Sequence, residues 1–60
     1  MTKRYEVWVE GDFMYGSCDE LKKAISMAHT AYEKHDATYV DVVDRYTNKL
    51  NHVVYTANTN

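Results

Sequence analysis

Apolar and polar residues alternate without a break through RYEVWVE, residues 4 to 10. A period of two marks a β-strand with one wet face. Tyr5, Val7 and Val9 fall on one side, and Arg4, Glu6, Trp8 and Glu10 fall on the other, so the only tryptophan sits among charges. Gly11-Asp12 follows as a hairpin signal of the Gly-X kind. Phe13-Met14-Tyr15 reads as a short return strand.

The period then changes. In SCDELKKAISMAHTAYEKH, residues 17 to 35, the apolar positions Leu21, Ala24, Ile25, Ala28 and Tyr32 share one sector of a helix. Lys23, Ser26, Thr30, Glu33 and Lys34 take the opposite side. The spacing of Ser17 and Glu20 predicts a capping box. Asp19 is then placed in the first turn, where the helix dipole favours a negative charge, and pairs with Lys23. His35-Asp36 ends the pattern. Two β-branched runs follow, TYVDVVDR (38–45) and LNHVVYT (50–56), on either side of a turn in which Asn48 is the natural left-handed residue. The tail ANTN, residues 57–60, reads as frayed. The order β-(β)-α-β-β predicts one α+β domain over residues 1–60. Its sheet is small, antiparallel or mixed, of three to four strands, with one helix packed on one face.

A three-residue hairpin closed by Asn48 sets Arg45 opposite Lys49, Val43 opposite Asn51, Val42 opposite His52, Val40 opposite Val54 and Tyr39 opposite Tyr55. One face of the hairpin then holds Val40, Val42, Leu50 and Val54, and the other holds Tyr39, Asp41, Val43, Val53 and Tyr55. A single helix covers a single face, and its best match is Tyr5, Val7, Val9, Val40, Val42 and Val54. Trp8, Tyr39, Val43, Val53 and Tyr55 are left facing solvent as the candidate interface. Large aromatics grouped on an otherwise wet face mark an interaction surface. The competing reading is isolated cross-strand pairs, or a one-residue register slip that exchanges the faces of the last strand.

Length sharpens the picture. A chain of sixty residues builds one small core. Domains of this size commonly rely on a disulfide, a metal or a second subunit. One cysteine excludes an intramolecular disulfide, and three histidines without ligand spacing argue against a metal. That leaves self-association, and the sequence predicts a homodimer or higher oligomer without a cofactor, held partly through the face that carries Trp8, Tyr39, Val43, Val53 and Tyr55. Seven basic and nine acidic residues give a net charge of −2, too mild for a DNA mimic and of the wrong sign for a generic nucleic-acid binder. No apolar run reaches membrane-spanning length, and no signal-peptide core follows Met-Thr-Lys-Arg. The expectation is a soluble cytoplasmic protein.

Catalytic chemistry finds little footing. Cys18, at the first position of the predicted helix, would have its thiol acidified by the dipole, but no histidine neighbours it in sequence. His29 and His35 do not share a helix face, and His52 faces the helix side of the hairpin. Asp41 and Asp44 point to opposite faces, so they form no acid/base pair and read as solubilising the strand and guarding its edge. The chain therefore reads as a non-enzymatic protein–protein interaction module. Aromatics on an open sheet also stack bases, with Arg4 and Arg45 available to phosphates, so the alternative is a binder of single-stranded nucleic acid or nucleotides. Glu6, Glu10 and Asp41 on the same face oppose it. A structural subunit of a larger assembly is the further alternative.

Three features run across nearly the whole chain: the V-x-V-x-G strand end at residues 7–11, the Ala-rich helix, and V-D-x-x-T-N at residues 43–48. In these the sequence resembles the short β-α-β-β accessory proteins encoded by bacteriophages and mobile elements of Gram-positive bacteria. The resemblance implies a partner that is a bacterial host or anti-phage defence protein, disabled by steric occlusion or conformational trapping. It carries over no individual functional residue.

Overall fold

The structure, a computed structural model, describes residues 3–47 and 52–58. Its elements are β1 (Tyr5–Val9), β2 (Phe13–Cys18), α1 (Leu21–Lys34), β3 (Tyr39–Asp44) and β4 (His52–Asn58). The fold is α+β: a four-stranded sheet in the order β2-β1-β3-β4. Every neighbouring pair is antiparallel, and the one helix lies on one face.

The β1–β2 turn is centred on Glu10-Gly11, one residue before the Gly11-Asp12 turn that the sequence predicts. Asp12 N–H donates to Val9 O at 2.8 Å, and the two residues between them, Glu10 and Gly11, have φ of 53° and 67°. Positive φ at both central positions belongs to the primed turns whose twist matches a hairpin. Gly11 takes this conformation without steric cost; Glu10 is held there with its carboxylate accepting Thr38 N–H at 2.7 Å. The return strand reaches to Cys18, well past Tyr15.

That extension overturns the predicted capping box. Ser17 and Cys18 are strand residues, Asp19 lies outside the helix, and Glu20 is an N-cap in extended conformation with no side-chain cap hydrogen bond. The first turn of α1 holds no acidic residue. Pairing of Tyr5 with Cys18 and Glu6 with Ser17 wins over the cap because it satisfies backbone groups along the whole strand. Asp19 instead accepts Arg4 N–H at 3.1 Å and lies 3.9 Å from Lys3 Nζ. Cys18 Sγ donates to Glu20 O at 3.3 Å.

The helix C-terminus is a complete Schellman motif. Asp36, at φ 49°, donates its N–H to Glu33 O, and Ala37 N–H reaches back to Tyr32 O at 3.1 Å. Ala37 is buried where the chain turns into β3.

Among the described residues, the fully buried members of the core between helix and sheet are all valine and alanine. Val7, Val9, Val40, Val42 and Ala57 come from the sheet and Ala24, Ala28 and Ala31 from α1. Small residues on α1 set the helix close to the sheet. Tyr5, Tyr15, Met27, Tyr32 and Tyr55 close the margins. Leu21, placed by periodicity on the core sector, is exposed because it opens the helix at the sheet's end. No helix among the described residues is long and apolar enough to cross a membrane.

The hairpin register corrects the sequence reading. Val43 pairs with Val53 and Asp44 with His52, whereas Val42 pairs with Tyr55 and Val40 with Ala57. The shift lies between Val42 and Val43, so Val54 is the extra residue of a β-bulge. On the turn side of the bulge, the pairing differs from the expected one by two residues, which preserves the faces. Beyond the bulge it differs by three, which exchanges them. Val54 therefore leaves the core and is 37% exposed, and Tyr55 turns to the helix side. The predicted pairing of Arg45 with Lys49, the turn at Asn48, and Leu50 lie outside the described residues. The predicted frayed tail does not begin at Ala57, which is a buried core residue, and Asn58 pairs with Tyr39; residues 59–60 lie outside the described residues.

Candidate functional site

The face of the sheet turned away from α1 is built from alternate residues of each strand. β1 contributes Glu6 and Trp8, β3 contributes Tyr39, Asp41 and Val43, β2 contributes Met14 opposite Trp8, and β4 contributes Val53 and Thr56. Trp8, Tyr39, Val43 and Val53 of the sequence-predicted set lie together here. Tyr55 does not. Its hydroxyl meets His29 Nε2 of α1 at 2.6 Å, with the rings 5.7 Å apart. The bulge at Val54 is the physical reason. Val43 lies on this face but is only 5% exposed, so it supports the surface from below and does not present itself to solvent.

Trp8 has a specific reason to sit among charges. Its indole N–H donates to Glu6 Oε1 at 3.0 Å, and Arg45 Nε donates to the same oxygen at 2.8 Å. Residues two apart on a strand share a face, so the tryptophan and its acceptor are neighbours by construction. Partial burial pushes the Glu6 carboxyl up, but the hydrogen bonds from Trp8 and Arg45 outweigh it and hold it below the ordinary glutamate range. The shared Glu6 oxygen thus ties the indole N–H to a neighbour on its own strand.

Beside the indole is a shallow depression of about 280 Å³, lined by Trp8, Gly11, Asp41, Val43, Arg45 and Val53. Asp41 Oδ1 accepts the Thr56 hydroxyl at 2.9 Å across the β3–β4 pair. Around the depression stand Val53, 43% exposed, Met14, 46% exposed, and Tyr39, 36% exposed. Met14 was not among the sequence-predicted residues. Its signal was the alternation of the return strand, which becomes readable once the strand is known to run to Cys18.

Arg4 and Asp44 form a separate arrangement on the helix side. Arg4 Nε and Nη2 reach the Asp44 carboxylate at 3.2 and 3.1 Å, and Asp44 also accepts Tyr46 N–H at 2.9 Å. The Arg4 hydrogen bond first, and the Tyr46 backbone N–H second, hold the Asp44 carboxyl below the usual aspartate range. The guanidinium also lies over the rings of Tyr5 and Tyr46, at 5.2 and 5.7 Å from their centroids. Asp44 is thus a buried, bonded residue of a central strand, correcting the expectation that it guards an edge. Arg4 is paired with Asp44 and Arg45 with Glu6, so the two arginines named for phosphate contact in the nucleic-acid alternative each already bond a carboxylate.

His29, His35 and His52 are dispersed: His29 on Tyr55, His35 edge-on to Phe13 and Tyr15, and His52 opposite Asp44. Among the described residues, no group of three or more His, Cys, Asp or Glu side chains is placed to hold a metal ion. Comparison of the chain with protein-family models, curated proteins and solved structures gave no match.

Proposed function

We propose that the chain is a non-enzymatic binding module that engages a protein partner through the open face of its sheet. The observation that supports this reading is the grouping of Trp8, Met14, Tyr39 and Val53 on the side away from α1, uncovered by any described element. An apolar centre beside the Glu6–Arg45 and Asp41–Thr56 polar pairs has the anatomy of a protein–protein contact. Trp and Tyr are the residue types that most often carry such contacts, and Trp8 is held in one orientation before binding. The depression is below the usual volume of a small-molecule pocket and suits one partner side chain. Two carboxylates on the face, Glu6 and Asp41, favour a protein partner over a phosphate backbone.

The partner is a bacterial host or anti-phage defence protein, and the action is inhibition by steric occlusion or conformational trapping. This part of the proposal draws on the resemblance to short phage-encoded β-α-β-β proteins. Photo-crosslinking in bacterial cells tests the surface. A benzophenone amino acid replacing Val53 is expected to give a defined adduct that disappears with Trp8→Ala, while one replacing Lys23 on the outer helix gives none. Adducts that ignore Trp8, or that form equally from the helix, overturn the assignment. The inhibitory role is tested by plating phage on defended hosts that express the chain. Restored plating that Trp8→Ala loses is the expected result.

A further inference from the structure

We propose that the outer edge of β4 is a self-association site for a second copy of this chain. The two β4 strands pair antiparallel about a two-fold axis normal to the sheet, joining two four-stranded sheets into one of eight strands. This surface is separate from the open face, and the inference stands without the partner reading.

Backbone geometry identifies the edge. Glu10 N–H donates to Tyr39 O at 3.1 Å, and Arg45 N–H donates to Arg4 O at 2.8 Å. The odd-numbered residues of β3 therefore direct their peptide groups to β1, and the even-numbered ones direct theirs to β4. Val42 and Val40 are met there by Tyr55 and Ala57. Thr56, between those two, must turn its own N–H and C=O outward. Among the described residues, no strand pairs on that side. What fits the outward N–H and C=O of Thr56 on a strand edge is another strand.

Apart from the bulge at Val54, the edge carries none of the usual devices against such pairing. Exposed edges are normally blunted by lysine, other charges, or proline. β4 reads HVVYTAN, without one charged residue or proline, and is rich in residues that favour strands. β2, the other edge, is also uncharged, but its register shifts between the Val7 and Trp8 pairs and it contains Gly16. A bulge and a glycine break that edge in its middle. The β4 bulge is likewise at the third residue of its strand, but no glycine follows it, and Tyr55–Asn58 run in unbroken register with β3. A net charge of −2 per copy offers little repulsion. One strand pair is at the small end of specific interfaces, so dissociation in the range of about 1 μM to about 1 mM is expected. The two-fold axis keeps both helices on one side and aligns the two Trp8 faces on the other.

Sedimentation equilibrium of the full chain over that concentration range tests the proposal. A reversible monomer–dimer equilibrium is expected. Val54→Lys places a charge on the edge, and Thr56→Pro removes the outward N–H; Thr56→Val, which loses the hydroxyl bond to Asp41 but keeps the N–H, is its control. Val54→Lys and Thr56→Pro are each expected to weaken the dimer at least tenfold, whereas Thr56→Val and Trp8→Ala leave it intact. Amide exchange of the unsubstituted chain gives a readout that no misfolded variant can obscure: the Thr56 amide, directed outward in a single copy, becomes protected as concentration rises. A monomer at every concentration, a dimer unaffected by both edge substitutions, a dimer lost with Trp8→Ala, or a Thr56 amide indifferent to concentration overturns the proposal.

Discussion

Replacing Val42 with alanine tests the central packing, and replacing Val54 tests the bulge. Val42 is fully buried in a central strand, flanked by Val7 and Tyr55 and covered by the alanine face of α1. Val42→Ala removes two methyl groups, a transfer loss of about 1.6 kcal/mol at about 0.8 kcal/mol for each. The helix already sits close to the sheet and cannot settle far into the space. A residual cavity of about 40 Å³ at about 24 cal/mol per Å³ adds about 1 kcal/mol. The sum, about 2.5 kcal/mol, is more than half of the ~3–5 kcal/mol that a single core of this size supplies. Val54→Ala involves the same atoms at a residue that is 37% exposed on the bulge, and is expected to cost below about 1 kcal/mol. Urea unfolding followed by far-UV circular dichroism, at a fixed low protein concentration, measures both. With a slope near 1 kcal/mol/M, the midpoint should fall by about 2.5 M for Val42→Ala and by under about 1 M for Val54→Ala. Equal losses would mean that Val54 is a core residue and that the unbulged register is the real one. A loss under about 0.5 kcal/mol for Val42→Ala would refute the close helix–sheet packing itself.

Three further outcomes follow from particular contacts. Asp44 and Glu6 have folded-state pKa values below their unfolded ones, so their stabilisation is present above pH ~4–5 and is lost as pH falls through the folded values; urea midpoints should drop on acidification, and less steeply for Asp44→Asn. Tyr55→Phe removes the hydroxyl bonded to His29 and should cost about 0.5–1 kcal/mol, with an effect that shrinks in a His29→Ala background; additivity in that double-mutant cycle would place Tyr55 away from the helix. Ser17→Ala should cost less than about 0.5 kcal/mol because Ser17 is a strand residue, whereas loss of a true helix cap costs about 1 kcal/mol in the same thermal or urea melt.

The order of elements and the class of the fold were legible in the chain because both depend on local periods. Alternation in RYEVWVE and TYVDVVDR and the 3.6-residue spacing of Ala24 and Ala28 are properties of neighbours in sequence. For the same reason, the chain alone placed Trp8 on the face opposite Tyr5, Val7 and Val9. The reach of β2 to Cys18, the loss of the Ser17 cap and the bulge at Val54 were decided in three dimensions. Each depends on which backbone groups find partners across a strand pair, and no residue's own propensity states that. Tyr55 shows the consequence most plainly. An alternating pattern identifies two faces, but one extra residue in the ladder exchanges them. Only the assembled sheet, with Tyr55 against His29 and Trp8 against Glu6, determines which aromatic faces the helix and which is left for a partner.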